Sequence, residues 1–252
     1  MADWVEESWG AEGRNNITNS ANWLFDAAMK GGGEINVCVR YGATTPVTPE
    51  MRDAWGPALE ALFNTWFGLL HPYACFPYER VSVRIAGWAV KPGQESLLQW
   101  SDGTVPVYTE VSDGSDQALG EPKCPDSCGF FFRENWDHVF ADCPGGPENH
   151  FDYSLWLNDT GPAGAAAHGS NWGIRMGVTD FMRDIESGNT FVEWHEIGHA
   201  FGFSDYYSWA GSTPEGGSVM IVGSGASSPS LGDQWMVRRY FREARELRYP
   251  YE

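Results

Sequence analysis

The chain has 252 residues and a formal net charge of −18, with 34 acidic against 16 basic side chains. That sign excludes the basic patches that nucleic acid or an anionic membrane surface would need, and the longest apolar stretch, Ala54 to Leu70, is broken by Glu60, Asn64 and Thr65 and falls short of the roughly 18 residues of a spanning helix. The expectation is a soluble monomer of one domain over 1–252, with a core rich in the 13 tryptophans; a tryptophan face for carbohydrate is the weaker alternative.

Asn19-Ser20 can cap a short helix through Trp23, Leu24, Ala27 and Ala28, which Gly31 to Gly33 end. Glu34 to Tyr41 alternates, with Ile35, Val37, Val39 and Tyr41 on one face, and reads as a strand. Thr48-Pro49 starts a long helix whose stripe is Met51, Trp55, Leu59, Leu62, Phe63, Trp66, Phe67 and Leu70, with Pro57 marking a kink or restart. Arg80 to Val90 is a second strand, so the order strand, helix, strand predicts a parallel pair joined by a crossover helix.

Ser101 to His150 carries many Gly, Pro and Asp residues and three of the five cysteines without any sustained period, which reads as a long insertion held by disulfides. A short hairpin fits there. Asp113 and Asp116 are candidate calcium ligands, although two carboxylates on a polar loop are usually just solvated. Phe151 to Asn158 and Trp172 to Thr179 alternate as a third and a fourth strand. Asn189-Thr190 can cap the next helix, with Phe191, Trp194, Ile197, Gly198 and Phe201 turned to the core. A last helix starts at Ser230-Leu231-Gly232-Asp233 and buries Met236, Val237, Tyr240, Phe241, Ala244 and Leu247.

The sequence from His195 to Asp205 is His-Glu-Ile-Gly-His-Ala-Phe-Gly-Phe-Ser-Asp. Residues four apart share a helix face, so His195 and His199 can offer imidazole nitrogens to one zinc ion, and Glu196 projects beside it as a general base. Gly202 can adopt the left-handed backbone that stops the helix, and Asp205 is then the nearest donor to complete the ligand set. Met220 follows in a glycine-bounded turn, Gly216 to Gly223.

The order His-Glu-x-x-His-x-x-Gly-x-x-Asp followed by Ser218-Val219-Met220 resembles the metzincin clan of zinc metallopeptidases, and within it the snapalysin type of secreted neutral protease, over about residues 191 to 236. The resemblance implies an α+β fold with a twisted mixed sheet, an upper subdomain over about 1–202 that includes the insertion near 101–150, and a lower one over about 203–252. It implies that Met220 forms the floor of the metal site, that Tyr207, or Tyr206 in its place, donates to the oxyanion, and that residues 172 to 177, with Trp172, Gly173, Ile174 and Arg175, are an antiparallel edge strand that binds extended substrate, an ordinary interior strand being the alternative. The implied activity is secreted zinc endopeptidase on protein or peptide substrates. A zinc hydrolase specialised for a glycoprotein or non-peptide bond, and a non-catalytic binding protein on the same scaffold, are the alternatives.

Cysteines 38, 75, 124, 128 and 143 suggest two disulfides and one free thiol in an extracellular protein. The expected pairs are Cys38 with Cys75, and Cys143 with Cys124 or Cys128. A second zinc site from Cys124, Cys128, His138 and Cys143 competes with that pairing but matches no common spacing. Met1-Ala2-Asp3 leads into an acidic stretch with neither a basic nor an apolar leader region, so a signal peptide was removed or was never there; a secreted protein is expected. Asn16-Ile17-Thr18 and Asn158-Asp159-Thr160 fit the glycosylation sequon.

Overall fold

The computed structural model describes residues 5–7, 9–100, 103–110, 112–113, 120–132, 137–206, 217–224 and 226–249. Helices α1 (Arg14–Asn19) and α2 (Leu24–Lys30) precede strand β1 (Glu34–Tyr41), helix α3 (Pro49–Leu70) and strand β2 (Ser82–Val90). Short strands β3 (Val107–Tyr108), β4 (Ser112–Asp113) and β5 (Glu121–Pro122) follow, then β6 (Tyr153–Asn158), β7 (Ala167–Ser170) and β8 (Gly173–Gly177). Helices α4 (Val178–Ser187), α5 (Phe191–Ala200) and α6 (Leu231–Arg248) complete the order.

Six strands form one mixed sheet in the order β3-β2-β1-β6-β8-β7, and β4 pairs with β5 in a separate hairpin. All pairs in the large sheet are parallel except β7 with β8. The β1–α3–β2 unit is thus the expected parallel pair with its crossover helix. Helix α3 starts where Thr48 caps it, through Oγ1 accepting from Met51 N–H at 3.3 Å, and runs unbroken through Pro57. Pro57 and Asp53, the residue four before it whose carbonyl loses its donor, both lie on the exposed side, where water can take that donor's place.

Side chains alternate across the sheet, and its two faces are covered differently. On one face Val37, Val39, Tyr41, Tyr153, Leu155 and Leu157 pack under α3, where the Phe63 and Tyr153 rings meet edge to face at 5.1 Å and the Trp55 and Trp88 rings stack at 5.4 Å. On the other face lies the insertion. Cys38 is joined to Cys124, and Trp156 is sandwiched between the guanidiniums of Arg40 and Arg175 at 3.9 and 4.2 Å from its ring centroid.

Several sequence expectations are corrected here. Cys38 pairs with Cys124 and not with Cys75, which is exposed and free, because the insertion crosses over β1; Cys143 takes Cys128. The four-ligand site with Cys124, Cys128 and Cys143 is thereby excluded, since all three sulfurs are in disulfides. The strand expected over 172 to 179 ends at Gly177, and Val178, Phe181, Met182 and Ile185 begin α4 at helical spacing. Leu247 is 57% exposed and leaves the α6 stripe. Of the sequon asparagines, Asn158 is buried with its Oδ1 accepting from Gly161 N–H, and Asn16 Nδ2 donates to Gly202 O, so both amides are engaged in the fold. Asp116 lies outside the described residues, as does the Asp113 side chain. Nine of the ten described tryptophans are buried or half-buried by core contacts or, like Trp156 and Trp172, face the insertion; Trp235 alone among the described ones is a large exposed ring, so no tryptophan row forms among the described residues.

Candidate metal centre

Helix α5 carries the candidate ligands and is fixed from three sides. From α3, Trp66 Nε1 donates to Trp194 O at 3.1 Å. From β7, Gly169 approaches so closely that a Cβ there would lie 2.5 Å from Glu196 O. From the loop below, Met220 reaches Gly198, where an added Cβ would lie 2.3 Å from Met220 Sδ. Alanine or anything larger at either glycine would push the helix off its neighbour.

The expected stop is present. Helix α5 ends at Ala200 and Gly202 has φ +92°, a left-handed value that favours glycine and sends the chain back beneath the helix. That reversal puts Asp205 Oδ1 3.0 Å from His195 Nε2 and 3.5 Å from His199 Nε2. Each histidine uses its other nitrogen on backbone: His195 Nδ1 donates to Val219 O at 2.8 Å and His199 Nδ1 to Phe203 O at 2.7 Å. Those bonds fix the tautomers and leave both Nε2 atoms with a lone pair directed at the same point, which is how metal-ligating histidines are oriented. His195, Glu196 and His199 form a group that can hold a metal ion, and Asp205 adds a further donor that meets both imidazoles.

The charges are consistent with a cation site. Hydrogen bonds from His195 and His199, when those imidazoles are protonated, hold the Asp205 carboxyl well below the usual carboxylate range. Burial raises the Glu196 carboxyl, against the pull of His195, His199 and His168. Glu196 Oε2 is 3.9 Å from His199 Nε2, farther than Asp205 Oδ1 at 3.5 Å. One turn earlier Glu193 is 1% exposed, neither carboxyl oxygen has a hydrogen-bond partner, and burial lifts it to about 7.

Met220 is fully buried beneath the helix, and the first turn of α6 holds its loop. Ser218 Oγ donates to Asp233 Oδ1 at 2.5 Å and Val219 N–H to Asp233 Oδ2 at 3.2 Å, while Ser230 caps the helix through the N–H groups of Gly232 and Asp233. Asp233 therefore holds the N–H side of Val219, the residue whose carbonyl orients His195. Sequence reading assigned Asp233 only to the start of a helix.

The cleft above the site has a volume of about 380 Å³ and is bounded by Pro162 to Ala167, His168, Phe191, Val192 and Val222. Phe191, expected in the core, stacks at 6.4 Å on His195 from the cleft side. Of the two readings of residues 172–177, the edge strand is corrected and the interior strand is found. Strand β8 is interior, paired with β6 on one side and β7 on the other, and Gly173 is needed because a Cβ there would lie 2.0 Å from Ser154 O on β6. The antiparallel strand at the edge is β7, and Ala167 and His168 on it line the cleft. Trp172 and Arg175 line a separate pocket under the insertion, with Arg40 and Trp156. Alternation could not reveal β7, since Ala-His-Gly-Ser has no apolar pattern. Thr190 precedes α5 without a side-chain cap bond. Tyr207 lies outside the described residues. Among the described residues no helix is long and apolar enough to cross a membrane.

No protein-family model, no curated protein and no solved structure matches this chain, so its function has to be read from the site itself.

Proposed function

We propose that this chain is a zinc-dependent endopeptidase that works outside the cell, built on a metzincin-like scaffold with an aspartate as third ligand. The observation that carries the reading is the convergence of His195 Nε2, His199 Nε2 and Asp205 Oδ1 beside a buried glutamate that is not needed as a ligand. Two imidazoles and one carboxylate suit zinc and leave a position open for water or substrate. When bound, the ion acidifies a water and polarises a carbonyl.

The chain's own groups supply the rest. Glu196 accepts the proton of the attacking water and passes it to the departing amine. Glu196 is 7% exposed, so little bulk water competes for that proton. Among the described residues β7 is the edge strand beside the cleft, and an extended peptide would add to it as a further strand and bring a peptide bond over His195 and His199. Phe191, Val192 and Val222 provide apolar contacts for the side chains on either side of that bond. Tyr207 stays the candidate donor to the developing oxyanion by its place two residues after Asp205. Two disulfides suit an oxidising compartment.

The test is hydrolysis of casein or gelatin by the purified chain. Activity should vanish with a chelator, return with zinc, and be absent in Glu196→Ala while that variant still binds one ion at this site. A wild-type chain that carries zinc here and cleaves no member of a broad peptide panel would refute the reading.

A further inference from the structure

Beneath the insertion, on the sheet face away from α3, a second set of ligand-type side chains converges. His138, His150 and Asp152 each present one donor atom, and these atoms lie within 4.8 Å of one another. His138 Nε2 is 3.0 Å from Asp152 Oδ1, and His150 Nε2 is 3.9 Å from Asp152 Oδ2. The corresponding separations in the cleft are 3.0 and 3.5 Å. Two ligands on one tetrahedral zinc, with bonds of about 2.0–2.2 Å, stand roughly 3.4 Å apart, and both sets span that value. The Asp152 side chain is fully buried, and those of His138 and His150 are 11% and 16% exposed.

Their surroundings orient them as ligands. His150 Nδ1 donates to Pro147 O at 2.7 Å, which leaves Nε2 bare, the same use of a backbone carbonyl as at His195 and His199. Asp152 Oδ2 accepts from Asn36 N–H at 2.9 Å, which fixes the carboxylate plane.

Asn36 provides the independent sign. It is 1% exposed, and its Nδ2 lies 2.9 Å from His150 Nε2 while its Oδ1 has no hydrogen-bond partner. As a hydrogen-bonded clasp, the group therefore leaves a buried carbonyl oxygen unsatisfied. Turning the amide over exchanges its oxygen and nitrogen without changing its shape. Oδ1 then stands beside His150 Nε2 and Nδ2 takes the unpartnered place, and the two facing lone pairs repel unless a proton or a metal ion lies between them.

We propose that His138, His150 and Asp152, with Asn36 Oδ1 as fourth donor, form a second, structural site for a divalent cation of the zinc type. The site ties the start of β1 to both ends of the segment 138–152, which the Cys128–Cys143 disulfide closes only in part. Two imidazoles, a carboxylate and an amide oxygen make a closed set with no position left for substrate.

Metal-free protein, reloaded with zinc chloride and desalted, should hold two zinc ions per chain by elemental analysis. The variant His195→Ala/His199→Ala should hold one, and zinc should still raise its Tm, because an ion that binds only the folded chain stabilises it. His138→Ala/His150→Ala should hold one as well, and the variant with all four changes none. The proposal falls if His195→Ala/His199→Ala binds no zinc and shows no zinc-dependent Tm, or if the four-fold variant retains the ion. The first variant leaves the second site intact, so it decides the matter even where changes at His138 or His150 prevent folding, and it does so whether or not the cleft proves to be a peptidase.

Discussion

The two faces of the sheet are closed by different physics. Under α3 the contact is apolar and periodic: Phe63 on Tyr153, Trp55 on Trp88, Trp66 against α5. Under the insertion there is little regular structure, and order comes from cross-links: Cys38 to Cys124, Cys128 to Cys143, and Trp156 between two arginines. The candidate metal centre sits on the first face, where close packing fixes donor atoms to within fractions of an ångström. A chain segment without a hydrophobic period can be kept on the second only by bonds that do not depend on period.

The largest expected effect removes chemistry and leaves the first face standing. Glu196→Gln should lower peptide hydrolysis by about 10²–10⁴-fold, with Tm and metal content close to wild type; a large fall in Tm would mean that the carboxylate is a structural part of that face. Next comes the cross-linked face. Loop closure over a sequence separation of 86 makes the Cys38–Cys124 bridge worth about 4–5 kcal/mol, and the separation of 15 makes Cys128–Cys143 worth about 3 kcal/mol. Serine pairs at each bridge, measured by denaturant unfolding, should keep that order; equal losses would show that the insertion has a core of its own.

Gly198→Ala should cost about 1–3 kcal/mol through the overlap with Met220 and Trp66, and should weaken metal binding as well, since the helix that moves carries both histidines. Metal titration alongside thermal unfolding separates the two losses. The smallest effect is expected from Ser230→Ala, about 1 kcal/mol for the lost cap of α6, read as a modest fall in Tm.

The same contrast decides what could be read in the sequence. Strand β1 was legible to its ends because Ile35, Val37, Val39 and Tyr41 alternate, and α3 because its aromatic stripe repeats over six turns. His195, His199 and Asp205 were legible because helix geometry and one left-handed glycine fix their relation locally. Helix α4 was missed although Val178, Phe181, Met182 and Ile185 carry its period, because Val178 also continues the alternation of β8. The edge strand β7, the Cys38–Cys124 pairing and the grouping of His138 with His150 and Asp152 depend on where the insertion folds back, and no local pattern encodes that.

The loop that holds Met220 ends in a relay. Asp233 on α6 holds the Val219 N–H, and the carbonyl of the same residue sets the tautomer of His195. Docking of the last helix and readiness of the first ligand are thus one event. A chain whose C-terminal helix has come loose would still contain every candidate ligand of the cleft and yet bind metal there poorly, so affinity at that site would double as a gauge of whether the C-terminal end has folded home.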